Sequence, residues 1–165
     1  MFFVRSASPR DVTAIREVLA ETWRATYALF YGAAKVEEII ADWHSEAAVK
    51  AALSRPDGEY LVADDGKMIG GVAFASKSAD GNTITLHQLY VRPKCQGFGI
   101  GRDLFAEIES CFPGAQKLTL EVDPGNEPAI GFYRAHGMVE AGRTDNCGKD
   151  QSGIPALILE KPLAG

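Results

Sequence analysis

The chain has 165 residues, with 17 Lys and Arg against 22 Asp and Glu, a formal net charge of −5. That length predicts a single domain over residues 1–165, and the acidic balance argues against a nucleic-acid partner and for a cationic small substrate. Cys95, Cys111 and Cys147 are far apart and form no C-x-x-C pair, which excludes a zinc-knuckle or thioredoxin-like motif, leaves no metal site in view and fits a reducing compartment.

The first residues, Met1-Phe2-Phe3-Val4-Arg5, lack the apolar run of a signal peptide, and no stretch approaches the ~20 apolar residues of a membrane span. A cytoplasmic protein with no membrane partner is the expectation. Residues 2–5 read as a short strand. Ser8-Pro9-Arg10-Asp11 opens a helix, with Ser8 as cap and Asp11 at the positive end of the dipole. Ile15, Val18, Leu19 and Thr22 give it a helical face. The aromatic segment 23–31 follows and ends at Gly32. A second helix is predicted over 35–53, stopping at the breaker cluster Ser54-Arg55-Pro56-Asp57-Gly58. Three hairpin-linked strands come next, at 59–63, 68–76 and 83–91. A helix starts near Gly99, a strand covers 117–122, a helix covers 126–135, and two last strands are read at 138–142 and 154–160. The order β-α-α-β-β-β-α-β-α-β-β predicts an α/β (α+β) fold: a mixed, mostly antiparallel central sheet flanked by helices.

Between the third strand and its helix stands Gln96-Gly97-Phe98-Gly99-Ile100-Gly101. The first turn of a helix offers free N–H groups and partial positive charge, and glycines let an anion approach them without a Cβ in the way. A phosphate or pyrophosphate is the ligand this predicts, with Arg92, Lys94 and Arg102 near enough in sequence to add charge. The dinucleotide pattern G-x-G-x-x-G fails, since Arg102 occupies its last position, and Gly101-Arg102-Asp103 does not supply the Gly-Lys-Ser/Thr of a nucleoside-triphosphate loop.

Gln96-x-x-Gly99-x-Gly101 resembles the coenzyme A signature of the GNAT N-acetyltransferase superfamily, (Arg/Gln)-x-x-Gly-x-(Gly/Ala). Leu89-Tyr90-Val91-Arg92-Pro93 resembles the strand-then-proline lead-in of that family. Asn126-x-x-Ala129-x-x-Phe132-Tyr133-x-x-x-Gly137-Met138 resembles its second block, with Met138 where Phe is usual. The match covers residues 83–138 and the element order of the whole chain. It implies the GNAT fold, acetyl-CoA as cosubstrate, no metal, and acetylation of a primary amine by direct attack in a ternary complex. The acceptor would be a small cationic amine; the alternatives are a protein N-terminal or lysine acetyltransferase and a non-catalytic coenzyme A-binding module. The resemblance also implies a possible homodimer. It assigns the amides of Gln96, Gly97, Phe98, Gly99, Ile100, Gly101 and Arg102 to the pyrophosphate. The backbone of Leu89, Tyr90 and Val91 would take the pantetheine arm as an added strand, and Asn126 would hold the cofactor arm or the loop leading to its helix.

Tyr133 would protonate the departing thiolate, a reasonable task for a phenol with a reference pKa near 10. Many family members place a glutamate base on the strand before the glycine turn. Residues 83–91 contain no acid, and His87, on the same face as Leu89 and Val91, is the substitute. Trp23, Tyr27 and Tyr31, with Trp43, form an aromatic segment where the resemblance locates the acceptor; aromatic faces can hold a cation, and Glu21 and Asp42 are possible amine partners.

Overall fold

The computed structural model describes residues 1–147 and 153–163. Their strands follow the hydrogen-bonded order β1 (Phe3–Ser6), β2 (Gly58–Asp64), β3 (Ile69–Lys77), β4 (Thr83–Val91), β5 (Lys117–Val122), β7 (Ala156–Pro162), β6 (Val139–Thr144). The chain divides into two compact units, residues 1–75 with 88–111 and residues 76–87 with 112–165.

The first unit begins with β1 (Phe3–Ser6) and α1 (Val12–Tyr31). Ser8 and Asp11 form the entry to α1, but the carboxylate does the capping: Asp11 Oδ2 accepts from the Ser8 N–H at 2.8 Å and the Ser8 hydroxyl at 3.3 Å. Arg5 donates to both Asp11 oxygens at 2.9 Å and lies 3.0 Å from Asp64. This guanidinium holds the Asp11 carboxyl down to about 2. The aromatic segment is not separate from the first helix. Trp23 and Tyr27 continue the buried stripe of Val12, Ile15, Val18, Leu19 and Thr22, because their i, i+4 spacing keeps them on one face.

The helix expected over 35–53 is two helices, α2 (Ala33–Trp43) and α3 (Glu46–Leu53). Ser45 breaks it by turning extended, so that its hydroxyl accepts from the Ala48 N–H at 3.1 Å. A serine at this position competes for the backbone donors that a continuous helix would have used. Strands β2 (Gly58–Asp64), β3 (Ile69–Lys77) and β4 (Thr83–Val91) follow, then α4 (Ile100–Ser110). Strand β3 is buried from Ile69 through Ser76, as expected where both faces of a strand are covered. Ile15, Val18, Leu19, Val62 and Val72 centre the core of this unit; each fully buried aliphatic side chain contributes about 1.5–3 kcal/mol.

In the second unit β5 (Lys117–Val122) runs parallel to β4, with Thr83 opposite Lys117 and Leu86 opposite Leu120. After α5 (Glu127–Ala135) come β6 (Val139–Thr144) and β7 (Ala156–Pro162). Strand β7 pairs antiparallel with both β5 and β6, with a register shift between Glu140 and Gly142. Leu118, Leu120 and Val122 alternate inward with buried Leu157, Leu159 and Met138 completing this core. Among the described residues no helix is long and apolar enough to cross a membrane.

Candidate functional site

The glycine turn lies in the first unit, between the end of β4 and α4. Gly97 and Gly99 have φ of +88° and +81°, values an L side chain adopts only with strain. A Cβ added at Gly97 would meet nothing within 4 Å, so the concave side of the turn is bare backbone. The first bond of α4 runs from the Asp103 N–H to the Gly99 carbonyl at 3.0 Å. The N–H groups of Ile100, Gly101 and Arg102 therefore have no intrahelical acceptor. These donors, the positive end of α4, the open space at Gly97 and the Arg102 guanidinium beside Gly99 fit a pyrophosphate. Phe98 stands out from the turn at 71% exposure. Gln96 returns its side-chain amide toward the Val91 carbonyl at 3.4 Å.

Both ends of the turn are anchored on β3. At the exit, Ile100 rests on Gly70 and Gly71: a Cβ at Gly71 would lie 2.8 Å from Ile100 Cγ2 and 3.1 Å from the Tyr90 carbonyl oxygen. At the entry, the Arg92 N–H donates to the Gly70 carbonyl at 2.8 Å and its Nε to the Ile69 carbonyl at 2.7 Å. A glycine pair inside a strand is a sequence signal for close approach, and it identifies Gly70-Gly71 as functional support that motif reading missed.

Two expectations change here. Arg92 does not add charge to the turn: it is buried, and its guanidinium donates to Glu21 Oε2 at 2.6 Å. Glu21 is for the same reason committed to a cation of this chain rather than to an amine partner. Arg102 stays at the turn, and Lys94 is exposed just before it. The Arg102 guanidinium lies 2.7 Å from where a Gly99 Cβ would be, and its side chain is 70% exposed.

Along α1 the aromatic rings form a ladder. Trp23 and Tyr27 are 4.4 Å apart between centroids, Tyr27 and Tyr31 5.8 Å, and Trp23 meets Trp43 edge-on at 5.9 Å. Trp23 and Tyr27 are buried, and Tyr31 is half-buried. The ladder ends beside Leu29 and Phe30, which are 98% and 56% exposed. His44 packs 5.8 Å from Trp23, and burial pushes its imidazole down to about 4. The side-chain atoms Thr22 Oγ1, Trp23 Nε1 and His44 Nδ1 are buried without a hydrogen-bond partner.

The second unit carries the candidate proton-transfer groups. His87 is exposed on β4, with Nε2 2.7 Å from the hydroxyl of buried Ser76. Asn126 caps α5, its Oδ1 accepting from the Ala129 N–H at 3.3 Å. Tyr133 is buried on α5, edge-on to Phe132 at 5.4 Å, and its carbonyl accepts from Met138 N–H at 3.0 Å. The β4–β5 ladder stops at Leu86 and Leu120, whereas β4 continues to Val91; Leu89, Tyr90 and Val91 lie beyond its last rung. His136, at the end of α5, has Nδ1 2.8 Å from the Phe132 carbonyl.

The three cysteines are free, and burial pushes the Cys111 and Cys147 thiols up to about 11. Among the described residues, no group of three or more His, Cys, Asp or Glu side chains is arranged to hold a metal ion.

Comparison with known proteins gives a consistent result. The model of the Acetyltransferase (GNAT) family matches residues 13–138. The crystal structure of the PaiA N-acetyltransferase from Thermoplasma acidophilum in complex with coenzyme A superposes with a TM-score of 0.86 at 25% identity, covering 98% of this chain and 99% of that one. A putative [ribosomal protein bS18]-alanine N-acetyltransferase of Bacillus subtilis is 30% identical over 71% of this chain and 77% of its own length. The peptidyl-lysine N-acetyltransferase YjaB of Salmonella typhimurium is 28% identical over 91% of this chain and 82% of its own.

Proposed function

Because the chain belongs to the Acetyltransferase (GNAT) family, we propose that it transfers the acetyl group of acetyl-CoA to a primary amine by direct attack, without an acyl-enzyme. The single observation that carries the donor half is the turn at the start of α4, bent by two positive-φ glycines and open at Gly97. Its amides from Gln96 to Arg102 would bind the pyrophosphate, and the backbone of Leu89, Tyr90 and Val91 would hold the pantetheine arm as an added strand. Acetyl-CoA supplies, when bound, a thioester carbonyl as the electrophile.

A primary amine attacks only when neutral, so its ammonium proton must first leave. His87 is the base of this reading: its Nε2 lies 2.7 Å from the Ser76 hydroxyl, which orients the ring, and the imidazole would take the proton directly or through water. As nitrogen bonds to the carbonyl carbon and the carbon–sulfur bond breaks, the Tyr133 phenol donates its proton to the departing thiolate. A backbone N–H of the Leu89–Val91 segment steadies the charge that builds on the carbonyl oxygen. Asn126, by capping α5, holds the helix that carries Tyr133. The absence of an acyl-enzyme is supported by the surroundings of the thiols: Cys95 is buried, and burial pushes Cys111 and Cys147 up to about 11, away from the thiolate that would attack.

For the acceptor, an amine on a polypeptide is favoured. Exposed Leu29 and Phe30 at the end of α1 offer apolar contact to a chain, and Glu21 is already spent on Arg92. Two of the relatives above are named for protein acceptors. The net charge of −5 favours the second reading, a small cationic amine. The test is thiol release from acetyl-CoA against peptides with free N-termini or internal lysines, polyamines and aminoglycosides. Turnover confined to peptides supports the first reading, turnover confined to polyamines or aminoglycosides the second. Coenzyme A binding with no amine consumed would overturn catalysis in favour of a binding module.

A further inference from the structure

Arg92 sits at the junction of three parts of the first unit, and its polar groups are divided among them. Its N–H and its Nε hold β3, through the carbonyls of Gly70 at 2.8 Å and Ile69 at 2.7 Å. Its carbonyl accepts from the Cys95 N–H at 2.8 Å, the bond that closes the short 3-10 turn Pro93–Cys95 leading into the glycine turn. Its guanidinium holds α1, through Glu21 Oε2 at 2.6 Å, with Glu17 Oε2 further away at 3.6 Å. The arginine side chain is 10% exposed and that of Glu21 38%. Glu21 immediately precedes Thr22 and Trp23, where the buried aromatic ladder of α1 begins.

Burying an arginine is expensive, and a buried ion pair is a weak way to gain stability, because desolvation consumes most of the Coulombic attraction. What such a pair does well is select one geometry. Here the selected geometry joins the entry of the cofactor turn to the helix that carries the candidate acceptor segment.

We propose that Arg92 and Glu21 are positioning residues that couple the two: filling of the glycine turn by coenzyme A is transmitted through this ion pair to the Trp23–Tyr31 segment of α1. The coupling rests on the donor half of the proposed function. A ligand that fixes the turn fixes the Arg92 backbone, and with it the direction of the guanidinium. Glu21, and the turn of helix after it, is then held in one place. In the unliganded protein the same pair limits how far the turn opens.

Hydrogen exchange of the full-length protein tests this, with and without saturating coenzyme A, in wild type, Glu21→Gln and Arg92→Lys. Glu21→Gln keeps the shape and removes the charge; Arg92→Lys keeps the charge and removes the fork. In the unliganded protein, amides 96–101 should exchange about fivefold faster or more in Glu21→Gln, the loss of one charge-assisted hydrogen bond, while those of β5 and β7 stay unchanged. Adding coenzyme A to wild type should slow exchange in residues 22–31 as well as 96–101. In both variants, the slowing at 22–31 should be lost while that at 96–101 persists. A pair that only stabilises the fold would instead raise exchange everywhere. Equal slowing at 22–31 in wild type and both variants overturns the coupling. So does slowing in wild type confined to 96–101. If coenzyme A protects nothing in wild type, the donor assignment fails on its own, and the exchange of the unliganded turn in Glu21→Gln still decides whether the pair holds it.

Discussion

Replacing Gly71 by alanine probes how the cofactor turn is held while leaving every residue assigned to the ligand unsubstituted. The new Cβ would stand 2.8 Å from Ile100 Cγ2, 3.1 Å from the Tyr90 carbonyl oxygen and 3.2 Å from Leu104 Cδ1. Carbon atoms in contact prefer about 3.5–4.0 Å, so Ile100 must retreat by about 1 Å. It has little room: Ile100 is 3% exposed, and Leu104 beside it is fully buried. Overpacking of this kind costs about 1–3 kcal/mol. Ile100 is also the first residue of α4, so its displacement moves the amides that face the pyrophosphate. Urea denaturation should show a midpoint lowered by that free energy divided by the slope, the slope itself unchanged, and calorimetric titration should show coenzyme A binding weakened about fivefold or more. A variant as stable as wild type, with unchanged coenzyme A affinity, would refute the idea that the glycine pair seats the helix.

Tyr133→Phe should lower turnover about 100-fold or more with little change in KM for acetyl-CoA, since the phenol acts only as sulfur leaves; turnover within twofold of wild type removes the assignment. His87→Ala should abolish the dependence of rate on pH between 6 and 8, and a wild-type profile already flat there would exclude the base. His44 has its pKa lowered to about 4 by burial. The unfolded chain, with an ordinary histidine near 6.5, therefore takes up the proton first. Stability should fall as pH drops from about 6.5 to 4, by at most about 3 kcal/mol, and His44→Asn should flatten that part of the curve. Gly131, exposed inside α5 with open space where a Cβ would go, should gain about 0.5–1 kcal/mol on change to alanine, read as a higher melting temperature.

Much of this protein is written locally. The strands and helices follow alternation and 3.6-residue periodicity, and the boundaries that moved are those set by single caps, such as Ser45 dividing α2 from α3. The glycine turn is legible because its geometry depends on residues next to one another. Gly97 and Gly99 adopt positive φ, and α4 begins directly after them. The Asn126–Gly137 block is legible for the same reason, as a cap, a helix and its stop. The partners of a charge are not local. Arg92 stands four residues before the first residue of the glycine motif, beside other basic side chains only in sequence order. In space it turns to Glu21, 71 residues earlier, because burial against α1 offers a carboxylate that the turn does not. The same holds for Gly70-Gly71, whose bare backbone matters only once Ile100 is laid against it. Sequence determined what the turn can bind; packing between distant segments decided which residues hold it in place.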